Sequence, residues 1–156
     1  MFKLDKTDRQ ILRELQKNGR ISNVKLAKQV GLSPTPCLER VKRLEKTAVI
    51  KSYTAQLDPR YLNASLLIYV EITLNRSSAD VFERFNKAVS QVDDILECHL
   101  VSGNFDYLLK TRVADMSAYR KVLSQTLLAL PDIKNSRTYV VMEEVKDSSA
   151  LHIADE

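Results

Sequence analysis

Residues 22–46 read SNVKLAKQVGLSPTPCLERVKRLEK, and their punctuation decides the fold of the N-terminal part of the chain. Ser22 is a good N-cap for a short helix whose buried side is Val24, Leu26, Ala27 and Val30. Gly31 stops that helix. Ser33 caps the next one, and Pro34 takes the first helical position, where a missing N–H costs nothing. Pro36 is still within the first turn. Leu38, Val41 and Leu44 follow at three-residue spacing and are expected to face the core. Glu39, Arg40, Lys42, Arg43 and Lys46 are then left on the open side, with Lys51 just beyond.

A compact helix–turn–helix with a cationic second helix suits insertion into the DNA major groove. Bases are read at the leading end of such a helix and phosphates further along it. Ser33, Thr35 and Pro36 stand at the leading end. Arg40 and Arg43 could reach bases or phosphates, whereas Lys25, Lys42 and Lys46 have the character of phosphate partners. Ser22, Asn23 and Glu39 complete the candidate DNA-binding set. The same pattern also fits a plain three-helix core whose Lys and Arg are merely solvated.

Outward from this segment, a first helix is expected over about residues 6–18, with Ile11, Leu12 and Leu15 as its apolar stripe and Asn18-Gly19 ending it. After Lys46, AVIKSYTAQL (48–57) alternates and is rich in β-formers, so one or two short strands are expected there. Asp58-Pro59 breaks the run and marks a domain boundary near 58–64. Beyond it the pattern is strand (65–74), helix capped by Ser78 or Asp80, strand (95–102), Gly103-Asn104 turn, strand (105–113), helix capped by Asp115 and ended by Pro131, and strand (137–145). That order, βαββαβ, predicts an α+β chain: a helix–turn–helix domain over 1–58, a ferredoxin-like domain over 59–146 and a tail over 147–156.

Charge supports the division. Residues 1–60 hold 14 Lys and Arg against 6 Asp and Glu, a net of +8, and the remainder holds 10 against 14, a net of −4. The N-terminal part suits a polyanion and the C-terminal part does not. Several strands of the second half are apolar on both faces, with Tyr139 and Val141 opposed to Val140 and Met142, and Leu67 and Tyr69 opposed to Ile68 and Val70. Two helices cover only one face of such a sheet, so a second copy is expected on the other. No stretch reaches the roughly 18 apolar residues of a membrane span. The opening MFKLDKTDRQ is too charged for a signal peptide, so the expected location is the cytoplasm, without a membrane partner.

A second candidate site is Gly103-Asn104-Phe105-Asp106-Tyr107. The Asp106 carboxylate could accept the ammonium group of a bound amino acid while turn amides meet its carboxylate, and Leu100, Met116 and Val141 could take an aliphatic side chain. An ordinary hairpin explains the same turn. Cys37 and Cys98 read as separate buried thiols. Neither they nor His99 and His152 match a metal site, and no phosphate loop, nucleophile elbow or purposeful carboxylate pair is present. Catalytic residues, metal and cofactor are therefore all expected to be absent.

Three runs carry a resemblance that these local readings do not: NGRISNVKLAKQVGLSPTPCLERVKRLE, ECHLVSGNFDYLLKTRVADMSAYRKVL and RTYVVMEEVK. They resemble the Lrp/AsnC (feast/famine) family of prokaryotic transcription regulators, and the similarity runs from about Leu4 to Lys146. The resemblance implies a winged helix–turn–helix, with its span on Asn23 to Lys42, and a ferredoxin-like domain that dimerises and senses an amino acid, leucine first, methionine or another next. It implies dimers assembled into octamers that wrap double-stranded DNA in the nucleoid, with effector held between dimers. The implied effector residues are Leu100, Val101, Gly103, Asp106, Met116, Tyr139, Val140 and Val141. Two departures stand out. Lys46-Thr47-Ala48-Val49 lacks the glycine that relatives often place after the recognition helix, and Asn104 stands where relatives often have an aspartate. A ligand-sensing module that has lost DNA function is the alternative. A small enzyme is disfavoured by the basic N-terminal half and the missing acid–base pair.

Overall fold

The computed structural model describes residues 3–75 and 78–154. The last two residues of the expected tail lie outside this range. The chain forms two compact units. One comprises the described residues up to Gln56 together with those from Lys146 on, and the other is Leu57–Val145.

The first unit holds three helices, α1 (Lys6–Lys17), α2 (Asn23–Gln29) and α3 (Pro34–Lys46). Helix α1 starts with a capping box: Asp5 Oδ1 accepts from the Asp8 amide at 2.7 Å, and Asp8 Oδ2 accepts from the Asp5 amide at 3.3 Å. Helix α2 is capped by Ser22, whose Oγ accepts from the Lys25 amide at 3.4 Å. Both α2 and α3 end in Schellman closures. At the end of α2 the Leu32 amide donates to the Ala27 carbonyl at 2.9 Å, with Gly31 at φ 70°. At the end of α3 the Val49 amide donates to the Leu44 carbonyl at 3.0 Å, and there the left-handed residue is Ala48, φ 55°. The core is Ile11, Leu26, Ala27, Val30, Cys37 and Leu44.

Two residues expected in this core lie outside it. Val24 is 66% exposed and Leu38 is 41% exposed. Helix α3 turns Cys37 inward instead, so its inward stripe is the buried Cys37 and Leu44 with the half-buried Val41 between them. Ser33 has the extended backbone of an N-cap, but its side chain makes no cap hydrogen bond. The strands expected over 48–57 are absent: no strand is assigned there. Alternation alone makes no strand without a ladder partner. From Lys146 on, the chain returns to α1. Gln16 Nε2 donates to the Leu151 carbonyl at 3.0 Å, Gln16 Oε1 accepts from the Leu151 amide at 2.7 Å, and Arg13 donates to the Ile153 carbonyl at 2.8 and 3.1 Å.

The second unit is a four-stranded antiparallel sheet with helices on one face. Its elements are β1 (Leu66–Leu74), α4 (Val81–Val89), β2 (Ile95–Leu100), β3 (Tyr107–Val113), α5 (Met116–Gln125) and β4 (Ile133–Val140), and the strand order is β2-β3-β1-β4. Ile68, Val70 and Ile72 of β1 and Tyr107 and Leu109 of β3 meet Val81 and Phe85 of α4 and Tyr119 of α5. Each such side chain contributes roughly 1.5–3 kcal/mol on burial. The other face carries Leu67, Tyr69, Glu71, Lys110, Arg112 and Tyr139, so it is mixed rather than apolar throughout. The helix expected to run to Leu130 ends at Gln125, with a 3-10 turn over Leu127–Ala129. Strand β4 begins four residues earlier than expected, because Ile133 and Asn135 pair with Leu74 and Thr73.

Candidate nucleic-acid interface and ligand clefts

Helix α3 presents two distinct cationic sets. Arg40 and Arg43 turn toward α1. Arg40 Nη1 lies 2.6 Å from Asp5 Oδ2 and 2.9 Å from Asp8 Oδ1, and Arg43 Nη2 lies 2.7 and 2.8 Å from the two oxygens of Asp8. Asp8 is only 1% exposed. The Arg40 guanidinium, and then the Asp8 amide, hold the Asp5 carboxyl below its ordinary range. The arginines read as base or phosphate contacts are thus bonded to carboxylates, and in the structure they join α3 to α1.

The outward face of α3 is different. Thr35, Leu38, Glu39, Lys42 and Lys46 are all exposed and recur at the spacing of one helical face. Lys25 on α2 is exposed as well. Among the described residues, no ion pair involves Lys25, Lys42 or Lys46. Asn23 has a structural duty: its Nδ2 donates to the Pro34 carbonyl at 2.7 Å and ties α2 to the start of α3. Ser22 is occupied as a cap, while Ser33 and Pro36 form the entry to α3. The arrangement presents polar groups at the front of a helix and uncompensated ammonium groups further back.

The effector candidates fall into three places. Gly103, Asn104, Phe105 and Asp106 share a shallow cleft of about 260 Å³ with Thr73, Leu74, Asn75 and Lys134. Asp106 is 3% exposed, and its Oδ2 accepts from the Leu74 amide at 2.8 Å. Leu100 and Tyr107 line a second cleft, of about 470 Å³, between β2 and α4. Tyr107 is buried under α4, its ring centroid 4.5 Å from that of Phe85 with the planes tilted by 34°, and donates to Asn86 Oδ1 at 2.7 Å. Tyr139, Val140 and Val141 lie on and just past β4, with the Tyr139 hydroxyl donating to Glu71 at 3.0 Å. Val101 donates its amide to the Asp106 carbonyl at 2.9 Å, and Met116 is the exposed first residue of α5. Strands β2 and β4 are opposite edges of the sheet, three strand spacings of about 4.8 Å apart, and Leu100 lies level with Ser136 rather than with Tyr139, so Leu100 and Tyr139 are separated by more than about 14 Å. One chain does not gather these residues round one cavity.

Residues 67–151 match the Lrp/AsnC ligand binding domain, and residues 4–45 match the AsnC-type helix-turn-helix domain. The chain belongs to the Lrp/AsnC family. It is 69% identical over 150 residues to the leucine-responsive regulatory proteins of Klebsiella pneumoniae and Escherichia coli K12, covering 96% of this chain and 92% of theirs. A Neisseria meningitidis transcriptional regulator solved as its L-methionine complex superposes with a TM-score of 0.91 at 35% identity, covering 96% of this chain and 97% of that one. A feast or famine regulatory protein of M. tuberculosis, complexed with L-methionine, gives a TM-score of 0.88 at 29% identity over 97% of this chain and all of that one. This Lrp/AsnC protein is an amino-acid-responsive DNA-binding transcription regulator, not an enzyme. No helix among the described residues is long and apolar enough to cross a membrane.

Within this Lrp/AsnC chain, the sequence pattern overlooked Thr73, Asn75 and Lys134 as neighbours of the Gly103–Asp106 turn. They reach it because β4 starts at Ile133 and pairs with the end of β1, a register that the polar Lys134-Asn135-Ser136 does not announce. Cys98 and His99 sit on opposite faces of β2, and His99 Nε2 lies 3.2 Å from Glu97. Both thiols, Cys37 and Cys98, are pushed up by burial.

Proposed function

We propose that this chain regulates transcription as a homo-oligomer whose DNA binding answers to leucine, with methionine as the second effector. The observation that carries the DNA half is the outward face of α3, where Thr35 and Glu39 precede Lys42 and Lys46 and neither lysine is in an ion pair among the described residues. In this reading Thr35 and Glu39 meet bases, and Lys25, Lys42 and Lys46 meet phosphates. Ser22, Asn23, Ser33 and Pro36 shape the helix–turn–helix. Arg40 and Arg43 act chiefly by holding α3. The working location is the cytoplasm, on the nucleoid.

The effector half rests on the Gly103–Asp106 turn and on the relatives: the name of the 69% identical proteins specifies leucine, and two neighbouring structures hold L-methionine. Asp106 supplies negative charge next to Lys134, a pairing suited to the ammonium and carboxylate of an amino acid. Leu100 and Tyr139 lie on opposite edges of one sheet, so an effector touching both sets needs two copies of the chain. A ring of dimers, four in an octamer, meets that need, and effector binding would shift the assembly by linkage. Fluorescence anisotropy on the gene's own upstream region, with and without each amino acid, and light scattering of the same samples test this together. Lys42→Ala should lower the slope of log affinity against log salt by about 0.9, and Arg40→Ala should change it less, since its charge is already compensated. Indifference of both DNA affinity and assembly to leucine and methionine would refute the effector assignment.

A further inference from the structure

We infer that Leu38 is a specificity-determining residue that reads the 5-methyl group of a thymine in the major groove. This rests on the DNA-binding role of α3 proposed above.

An exposed leucine taken alone signifies nothing, because folded surfaces carry many. The position of this one is informative. Leu38 is 41% exposed, whereas its neighbour Cys37 is fully buried and fills the core position that the spacing of leucines would have given to Leu38. On α3 it lies in the first half of the helix, one residue before Glu39 and one turn before Lys42, on the face that also carries Thr35 and Lys46. The flank of α3 bearing Arg40 and Arg43 is committed to Asp5 and Asp8. The face left for a partner therefore has polar groups and a single large apolar side chain in front, and cations behind. The polyanion that the lysines suit offers one apolar feature in its major groove, the thymine methyl. No protein surface or lipid is needed to account for the same set. Burial of one methyl against Leu38 corresponds to about fourfold in affinity.

The test uses the full-length protein and duplexes that it enriches from a random pool. Each thymine of an enriched duplex is replaced in turn by deoxyuridine, which removes only the methyl. For the unmodified protein, one or two positions should lose about fourfold. Leu38→Ala should bind the thymine duplex about fourfold less tightly and no longer distinguish thymine from deoxyuridine at those positions, and Leu38→Met should restore the distinction. A circular dichroism spectrum of unchanged shape and a cooperative melt well above the assay temperature for Leu38→Ala exclude misfolding. If Leu38→Ala still discriminates as the parent does, or if no deoxyuridine position weakens the parent, the inference falls while DNA binding stands. If no duplex is enriched at all, the DNA-binding reading falls with it.

Discussion

Arg43 grips a carboxylate that solvent hardly reaches: its Nη2 stands 2.7 and 2.8 Å from the two oxygens of Asp8, which is 1% exposed. Asp8 also accepts from Arg40 and closes the α1 capping box, so one side chain serves three partners. Asp8→Ala should destabilise the helical unit by roughly 2 kcal/mol, less than a fully buried pair would cost because both arginines can rehydrate. Urea titration followed by circular dichroism measures this. A loss in DNA affinity larger than the fraction unfolded would show that α3 has also been turned. The Asp5 carboxyl, held low by Arg40, adds stability that is complete above the ordinary aspartate range and disappears as pH falls through its depressed folded value.

Asp106 has a structural job as well as the proposed effector role. Asp106→Ala would leave the Leu74 amide buried without its acceptor, at a cost of about 1–3 kcal/mol. Asp106→Asn keeps a carbonyl oxygen for that amide and removes the charge. It should therefore fold nearly as the parent does and lose the leucine response. Isothermal titration with leucine separates the cases: retained heat in a well-folded Asp106→Asn protein removes the charge from the effector site.

Ala48 closes α3 in a left-handed conformation, φ 55°, where the absence of a glycine was conspicuous in the sequence. A Cβ there is strained by roughly 1–2 kcal/mol, and glycine returns part of the gain as unfolded-chain entropy. Ala48→Gly should raise stability by about 1 kcal/mol. A lower melting temperature in a thermal scan would contradict the strain.

Tyr53 donates from its hydroxyl to Glu45 at 2.9 Å, and burial, then Glu45, push its phenol up to about 12. The neutral form is the one favoured on folding. Its contribution is complete below the ordinary tyrosine value near 10 and is lost as pH rises from there through about 12. The alkaline difference spectrum of the parent minus Tyr53→Phe should show one phenol ionising late. Ionisation near 10 would mean that the contact with Glu45 is not kept in solution.

Much of the architecture was legible. Ser22 and Asp115 cap the helices that they were expected to cap, and Ile68, Val70, Ile72 and Leu74 alternate on the buried face of β1 as their spacing requires. What could not be read is mostly rotation and register. On α3, stripes at 38, 41, 44 and at 37, 41, 44 fit a helical period equally well, and the choice depends on Asp8 capturing Arg40 and Arg43 from a helix about thirty residues earlier. Composition likewise cannot report that Asp106 is bonded to Leu74, or that Lys134 lies beside the same turn, since both follow from strand pairing. The 48–57 stretch has strand-like composition, but pairing needs a neighbour and composition does not supply one.

Leu151 and Ile153 alter the order in which the DNA-binding unit can be completed. Gln16 and Arg13 bond backbone groups 135 and 140 positions later. During synthesis, α1 leaves the ribosome long before the segment that lies along it exists. The DNA-binding unit thus begins to emerge before the ligand-binding unit and is completed after it, and the ligand-binding unit must be made in full before α1 acquires its final hydrogen bonds.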